Sequence, residues 1–267
     1  MPTLLKAAVL GILQGVTEFL PVSSTAHLLI GERLIGFSDP GGIFTTMIQL
    51  GSIFAVVWLY REKVLSVVTG LPTSAEARRF AFTILLATVP LLIAGALFGK
   101  FVKGVLYGSL AVIAAAFIVG GIVILVVERL RPAPDVMDVD GLPAGRALAI
   151  GTFQALALVP GVSRSGGTII AAMAMRVDRA AAAEFTFFLA MPAMAAAFAK
   201  DLLDARHELA SARGLEVAIG FVMAFISSAL VINPFLHYVR RSGFAPFAWY
   251  RIGLGLVLLA ALAAGWV

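Results

Sequence analysis

The chain has 267 residues, of which 61% are hydrophobic and only 13% charged, a composition outside the range of soluble globular domains. Its formal net charge is +5, but the basic residues are scattered at the ends of apolar segments, which argues against a nucleic-acid partner. The lack of cysteine excludes disulfides, thiolate metal sites and a cysteine nucleophile. We therefore expect an all-α polytopic membrane protein in contact with membrane lipids.

The first apolar stretch, residues 3–36, is interrupted near its middle by Pro21 and a cluster of hydroxyl residues. Gln14 and Glu18 also break its first run, so we expect no cleavable signal peptide. Proline removes a backbone donor, and irregular backbone is not tolerated where it faces lipid. The stretch is therefore predicted to turn back inside the protein as a re-entrant helix pair.

A second stretch, residues 145–177, has the same interrupted character, and we predict a second re-entrant pair there. The remaining apolar blocks are each long enough to cross the hydrocarbon core of a bilayer. They predict six transmembrane helices, near residues 42–60, 80–99, 106–128, 184–200, 215–236 and 247–266. Each re-entrant pair thus precedes three spans.

This order of segments divides the chain into two similar halves, and the sequence repeats accordingly. The matching segments are GILQ at 11–14 with GTFQ at 151–154, PVSST at 21–25 with PGVSRS at 160–165, and LATVP at 86–90 with LAMP at 189–192. A re-entrant pair returns to its own side, and three spans is an odd number. The second half therefore enters the membrane in the opposite orientation to the first.

We consequently predict an inverted-topology repeat within one membrane domain, residues 1–267. Its halves are residues 1–130 and 145–267, and the acidic, proline-containing segment 131–144 is a solvated linker. Inverted repeats with broken helices place polar sites near the bilayer midplane. The two broken segments are expected to meet there, tip to tip.

Lysine and arginine are more numerous on one predicted side of the membrane. That side holds Arg61, Lys63, Arg78, Arg79, Arg129, Arg131, Arg146, Arg176, Arg179, Arg240 and Arg241. The other side holds Lys6, Arg33, Lys100, Lys103, Lys200, Arg206 and Arg213. Because cytoplasmic loops carry the excess of positive charge, both termini are predicted to lie outside the cytoplasm.

The first motif lies around Pro21 and combines ionisable and hydroxyl side chains within apolar sequence, where each needs a functional or structural reason. Gln14 and Glu18 are four residues apart, so they share one face of a helix and can bind one hard cation, Mg²⁺ or Ca²⁺. Ser24 and His27 are three apart, and His27 could act as base or acid toward a serine hydroxyl or water. A purely structural Glu18–Arg164 ion pair is the alternative interpretation.

The second motif, PGVSRSGGT at residues 160–168, contains small residues that allow close approach of the backbone. The helix that restarts after it presents free N–H groups and the positive end of its dipole, which favour an anion. Arg164 adds a planar donor pair that matches phosphate oxygens. A glycine- and serine-rich kink for helix packing is the alternative interpretation of this motif.

The two motifs resemble the signatures of the undecaprenyl-pyrophosphate phosphatase (bacitracin resistance, BacA) family, Q/E-x-x-x-E followed by P-x-S-S-T-x-H, and P-G-x-S-R-S-x-x-T. The resemblance covers essentially the whole chain, and Tyr250-Arg251 near the last span also fits it. It implies a bacterial inner-membrane enzyme that removes the terminal phosphate of the undecaprenyl pyrophosphate carrier of cell-wall synthesis. Many members carry glutamate where this chain has Gln14; a glutamine carbonyl can still ligate a cation, but with one charge fewer the metal should bind more weakly.

The resemblance also implies roles for individual residues. The catalytic residues would be Glu18, Ser24, His27 and Arg164; the residues around the substrate phosphate would be Ser23, Thr25, Ser163, Ser165, Gly166 and Thr168; and the ligands of a divalent cation would be Gln14 and Glu18. The pocket would open to the periplasmic face. The sequence does not decide between a phosphoserine intermediate on Ser24 and direct attack by water.

Two other functions remain open at this stage. A transporter or lipid flippase shares the design of inverted repeats with broken helices, but it explains less well why a hydroxyl, a histidine, a carboxylate and an arginine converge. A purely structural membrane protein does not account for the charges inside apolar segments. The oligomeric state is undetermined, with a homodimer among the alternatives.

Overall fold

The computed structural model describes residues 1–39, 42–205 and 214–265, without the side chains of Lys103 and of residues 200–205. Four of the basic residues used to predict the orientation are affected. Arg206 and Arg213 lie outside the described residues, and the side chains of Lys103 and Lys200 are not described. Residue 266, the end of the last predicted span, also lies outside the described residues.

The described residues form a helical membrane protein. Its helices are α1 (Thr3–Thr17), α2 (Ser24–Ile35), α3 (Ile43–Leu59), α4 (Arg61–Gly70), α5 (Ala75–Phe101), α6 (Leu110–Leu130), α7 (Ala144–Gln154), α8 (Arg164–Ala174), α9 (Arg179–Ala205), α10 (Gly214–Ser242) and α11 (Ala245–Ala263). In this part of the chain α5, α6, α9, α10 and α11 are long and apolar enough to cross a membrane, and α3 with α4 makes a sixth, bent candidate. The predicted all-α polytopic fold is confirmed.

Helix α4 is the main departure from the predicted elements, because it lies between the predicted spans 42–60 and 80–99, where no helix was expected. The chain instead bends by 78° after α3 and continues as a ten-residue helix without a buried side chain. Leu65 and Val68 on this helix are exposed, while Arg61 lies over the ring of Trp58. Apolar and basic residues at the end of a span are typical of a segment that lies along the membrane surface.

Both interrupted segments turn back to the end of the molecule from which they start. In the first, Lys6 near the start of α1 donates to the carbonyl of Gly36, just after α2, at 2.9 Å. In the second, Arg146 near the start of α7 donates to the carbonyl of Met175, just after α8, at 3.3 Å. The two predicted re-entrant pairs are therefore present, and equivalent bonds close them at their bases.

The re-entrant pairs enter from opposite ends. The base of the α7–α8 pair lies at the end of the molecule where loops carry the larger predicted set of basic residues, among them Lys63, Arg79 and Arg146. There Lys63 and Arg79 both bind Asp140 of the linker, and Glu128 accepts from the backbone N–H of Phe244 at 3.2 Å. Asp135 pairs with Arg146, and this hydrogen bond holds the pKa of the Asp135 carboxyl below its ordinary value. The base of the α1–α2 pair lies at the other end, where Arg33 near the end of α2 binds the carbonyl of Gly108.

Helices of the first half pack against helices of the second half, and the pairs correspond to one another. Helix α1 packs along α10, and the equivalent α7 packs along α5, while α6 packs against α11 and α3 against α9. At the α6–α11 crossing, Gly121 lies against the carbonyl of Ala248, and Gly255 lies against the carbonyl of Ala114. Adding 134 to residue 121 gives 255, and adding 134 to residue 114 gives 248, so the two contacts are equivalent in the two halves. Two halves related by a pseudo-two-fold axis produce this pattern, and the division at residues 131–144 stays an interpretation.

The third sequence match does not fit this arrangement. LATVP at residues 86–90 belongs to α5, whereas LAMP at 189–192 belongs to α9. Helix α5 packs against α7 in the way that α10 packs against α1, so α5 corresponds to α10 and not to α9. The match between these two segments therefore does not support the repeat, whereas the matches at the re-entrant segments support it.

The packing of the re-entrant helices depends on glycines at their crossings. A Cβ at Gly11 would overlap the carbonyl oxygen of Gly220 on α10, and one at Gly151 would overlap that of Ala87 on α5. We expect Gly151→Ala to separate α7 from α5 and to lower the free energy of unfolding by about 1–3 kcal/mol, the usual cost of overpacking. Thermal unfolding in detergent would measure the loss.

Gly145→Ala provides the control, because a Cβ at this position on the same helix meets no atom within 4 Å. It should leave the melting temperature unchanged or raise it slightly, since alanine favours a helix. Equal melting temperatures for the two variants would contradict the close α5–α7 crossing.

Candidate active site

Glu18 is the centre of the site where the two tips meet. It follows the last residue of α1, and its side chain is only 4% exposed. One carboxylate oxygen accepts hydrogen bonds from Gln14 at 2.8 Å and from the Ser24 hydroxyl at 2.5 Å. The other oxygen accepts from Arg164 of the second tip. The carboxylate thus joins three predicted site residues from both halves of the chain.

Ser24 begins α2, and the backbone before it is unusual. Ser23 has a φ of 68°, and its counterpart in the second tip, Ser163, has a φ of 75°. Neither residue is glycine, so both backbones are held in a region that L-residues rarely adopt. This turn brings Ser24 to the first position of α2 and Arg164 to the first position of α8. Two helix N-termini therefore meet beside Glu18, where their partial positive charges favour an anion.

Arg164 is the cation of the site. Its Nη2 binds Glu18, its side chain is 14% exposed, and its Nη1 is buried with no hydrogen-bond partner in the described part of the chain. A buried guanidinium nitrogen without a partner is costly. Arg164 thus holds Glu18 with one arm of its guanidinium, and its other arm remains a donor able to bind a further acceptor.

The hydroxyl residues of the second tip mainly stabilise its turn. The Ser163 hydroxyl accepts from the backbone N–H of Gly166 and is 3.0 Å from the Ser165 hydroxyl, which donates to the carbonyl of Leu20 in the first tip. Thr168 is fully buried and binds Gln154, the counterpart of Gln14. These side chains are close to the predicted phosphate site, but their hydroxyls are already hydrogen-bonded to other groups of the protein.

Thr25 differs from its neighbours. It is half-buried and forms no side-chain hydrogen bond with the described residues. Its place in the first turn of α2, directly after Ser24, keeps it close to the proposed phosphate position. The phosphate-binding role given to it by the sequence stays a prediction, as do the roles given to Ser23, Ser163, Ser165, Gly166 and Thr168.

His27 is held by a different set of contacts. Its Nδ1 is 2.8 Å from the carbonyl of Ser23, which can only accept, so Nδ1 carries a proton. Its Nε2 is 2.7 Å from the Tyr250 hydroxyl, which donates when the ring is neutral, and the two rings are stacked. The Ser24 hydroxyl donates to Glu18, so it is Glu18, and not His27, that makes the contact expected of a base for Ser24. Proton transfer by His27 stays a prediction.

Tyr250 and Arg251, on the last helix, complete the site. Neither motif predicted a role for Tyr250, although its place next to an arginine inside an apolar helix was a signal. Arg251 is 1% exposed and donates to backbone carbonyls of both tips. These contacts reach across 230 residues of sequence between Pro21 and Arg251, which no local pattern reveals.

Removing the Tyr250 hydroxyl gives a prediction for this contact. We expect Tyr250→Phe to lower kcat for a prenyl pyrophosphate by roughly 3- to 10-fold, because losing one hydrogen bond of about 1 kcal/mol frees the His27 ring beside Ser24. Tyr238→Phe is the control, since Tyr238 is exposed and makes an edge-to-face contact with Phe247. An unchanged kcat in Tyr250→Phe would show that the hydrogen bond between Tyr250 and His27 has no role in the reaction.

A divalent cation would find few protein ligands here. Within the described residues no three histidine or carboxylate side chains converge on a point. Gln14 Oε1, however, is buried without a hydrogen-bond partner in the same part of the chain, one helical turn from Glu18. Mg²⁺ is commonly held by one or two carboxylates together with water and substrate phosphates. The residues therefore fit a cation that the substrate phosphates help to hold.

Fold and site together define a polytopic membrane protein in which two re-entrant tips meet in one buried network of charged and hydroxyl side chains. A family model described as bacitracin resistance protein BacA matches residues 7–257, and the chain belongs to this family. It is 45% identical to undecaprenyl-diphosphatase 1 of Agrobacterium fabrum, over 97% of each chain. It is also 47% identical to an undecaprenyl-diphosphatase of Cereibacter sphaeroides, over 98% of each chain, and 45% identical to one of Rhizobium meliloti, over 97% of each.

Proposed function

We propose that this protein is an undecaprenyl-diphosphatase of the bacterial inner membrane, which hydrolyses undecaprenyl pyrophosphate to undecaprenyl phosphate and inorganic phosphate. The observation that carries the proposal is the contact of Glu18 with both Ser24 and Arg164. It joins a base, a nucleophile and an anion-binding group in one buried network. Family membership and the names of the relatives agree with this reaction.

The terminal phosphate of the substrate would lie between the starts of α2 and α8. The unpartnered Nη1 of Arg164 would bind one of its oxygens, and the free N–H groups of the first helical turns would bind others. The charge of the transferring phosphoryl group would be stabilised by groups that are already in place, which is how most phosphoryl-transfer enzymes act. The prenyl chain would remain among the lipids, between the helices.

Ser24 is the nucleophile that the geometry favours. Its proton passes to Glu18 while its Oγ forms a bond to the terminal phosphorus and the bond from that phosphorus to the bridging oxygen breaks. Undecaprenyl phosphate leaves with the bridging oxygen and takes the proton from Glu18. Water then attacks the phosphoserine, its proton moves by way of Glu18 to Ser24, and inorganic phosphate is released. Positioning of the reacting groups supplies much of the rate.

A divalent cation bound by Gln14 Oε1 and Glu18 would supply further compensation of the phosphate charge when present. Glu18 already faces Arg164, so the cation is an addition to the charge that the chain itself provides. Phosphate release measured before and after chelation, with Mg²⁺ or Ca²⁺ added back, separates the two contributions. A rate that chelation leaves unchanged would exclude a role for the cation.

The orientation is part of the proposal. The end of the molecule where the basic loops converge would face the cytoplasm, so the base of the α1–α2 pair and the opening to the site would face the periplasm. The cysteine-free chain allows a direct test by labelling single cysteines, for example Arg33→Cys and Arg78→Cys, with an impermeant thiol reagent in intact cells. Labelling of Arg78→Cys alone would reverse the orientation. Native mass spectrometry in detergent would distinguish a monomer from a homodimer.

The test of the function uses the purified full chain and farnesyl pyrophosphate. We expect phosphate release from the wild type, none above background from Ser24→Ala, and a phosphorylated Ser24 peptide in the acid-quenched wild type. Ser66→Ala is the control, because Ser66 is exposed and binds only its own helix. If the wild type released no phosphate, the phosphatase function would be overturned and the transporter alternative favoured. Release from Ser24→Ala would establish direct attack by water.

A further inference from the structure

Arg251 is a buried cation that the proposed reaction does not use. It lies on α11, is 1% exposed, and is among the largest fully buried side chains of the described chain. Its guanidinium forms hydrogen bonds with backbone carbonyls only. Burying a charge in apolar surroundings is costly unless it gains strong hydrogen bonds, so a specific function has to justify it.

The four carbonyls come from three separate parts of the chain. Nη1 donates to Pro21 of the first tip at 3.0 Å and to Val162 of the second tip at 3.1 Å. Nη2 donates to Gly161 of the second tip at 2.9 Å and to Ala116 of α6 at 3.0 Å. The four N–H groups of the two terminal nitrogens are therefore all used, and they bind both tips at once.

The bonded carbonyls stand close in sequence to the reacting groups. Pro21 is three residues before Ser24, and Val162 is two residues before Arg164. Each interval contains a serine with a positive φ angle, Ser23 in the first tip and Ser163 in the second, and such a backbone needs support from its surroundings. A single planar fork fixes both strained turns relative to each other. It thereby fixes the distance between the nucleophile of one half and the phosphate-binding arginine of the other.

We propose that Arg251 is a positioning residue that holds the two re-entrant tips in the arrangement required for catalysis. The inference rests on the proposed phosphatase function for its kinetic consequences, but its structural claim stands separately. The fork geometry is the essential property. A lysine would keep the charge but present its donors from one atom, so it cannot span four carbonyls.

The kinetic test compares Arg251→Lys and Arg251→Gln with the wild type on farnesyl pyrophosphate. Misplacement of reacting groups by about 1 Å costs about 100-fold in rate, so we expect kcat to fall by that order in both variants while KM changes little. Arg240→Lys, at an exposed position paired with Glu184, is the control. Wild-type kcat in Arg251→Lys would show that charge alone suffices and would overturn the positioning role.

Gly120 offers a second variant that leaves Arg251 and its charge in place. A Cβ at Gly120 would overlap Nη2 of Arg251, so Gly120→Ala should push the guanidinium away from its carbonyls. We expect the same loss of kcat as in Arg251→Lys. Gly253→Ala, where a Cβ meets nothing within 4 Å, is the matched control on α11. Full activity in Gly120→Ala, with the melting temperature of the wild type, would contradict the proposal.

A distance measurement keeps the inference separate from the phosphatase function. Spin labels at Ile12→Cys and Leu156→Cys, both exposed positions of the two re-entrant segments, report the separation of the halves. We expect a broader distance distribution in Arg251→Gln and an unchanged one in Arg240→Lys. An unchanged distribution in Arg251→Gln would overturn the positioning role even where activity is lost. If the wild type released no phosphate, the function would fail while this measurement still tested Arg251.

Discussion

Replacing Glu18 by glutamine is expected to lower kcat for a prenyl pyrophosphate by about 10³-fold, within the range for loss of a general base. Since Ser24 and Arg164 bind different oxygens of the Glu18 carboxylate, glutamine keeps an acceptor for only one of them, although its shape is nearly the same. It cannot take the proton of Ser24, however, and it removes the charge opposite Arg164. The loss should therefore appear mainly in kcat, because the anion-binding groups remain.

Phosphate release in detergent measures this effect, with thermal unfolding to verify the fold. Glu184→Gln is the matched control, because Glu184 is also largely buried but pairs at 3.6 Å with Arg240, away from both tips. It should keep the wild-type kcat. If Glu18→Gln retained more than about a tenth of the wild-type kcat, a base worth at least 10² in rate would be excluded, and the proton of Ser24 would have to leave by another route.

Much of the architecture could be predicted from the sequence because the bilayer restricts the choices. Apolar blocks of sufficient length predicted α3, α5, α6, α9, α10 and α11 close to their observed bounds. Proline and hydroxyl residues within apolar sequence predicted both breaks, since lipid does not tolerate irregular backbone. The repeat of the two motifs then implied tips that meet, and the contact of Arg164 with Glu18 confirms it.

The sequence could not predict the division of contacts within the site. Ser24 and His27 have a spacing that permits a shared helix face, but the turn at Ser23 directs the His27 ring to Tyr250 and leaves Ser24 to Glu18. That choice depends on a positive φ and on a helix more than 220 residues away. Helix α4 was missed for another reason. Its apolar residues are exposed and ten residues are too few to span, so neither burial nor length marked it.

Replacing Arg164 by lysine gives the second large effect and distinguishes a guanidinium shared between Glu18 and the phosphate from a simple positive charge. Arg164 uses Nη2 for Glu18 and leaves Nη1 free, so one residue serves the carboxylate and the phosphate together. A lysine ammonium is a point charge that cannot reach both in the same geometry. We expect kcat/KM to fall by about 10²–10³-fold, the cost of removing one preorganised donor to a developing charge.

Measuring kcat and KM separately shows in which state the free arm of Arg164 binds the phosphate. If the free arm binds the phosphate equally in the ground state and the transition state, KM alone rises; if it binds the transferring phosphoryl group more tightly, kcat falls as well. We expect both, because the helix N-termini still bind substrate while the missing arm leaves the charge of the transition state less compensated. Arg240→Lys, whose side chain is 61% exposed, should match the wild type. An Arg164→Lys enzyme within about threefold of the wild-type kcat/KM, less than 1 kcal/mol, would show that a positive charge suffices between the two tips.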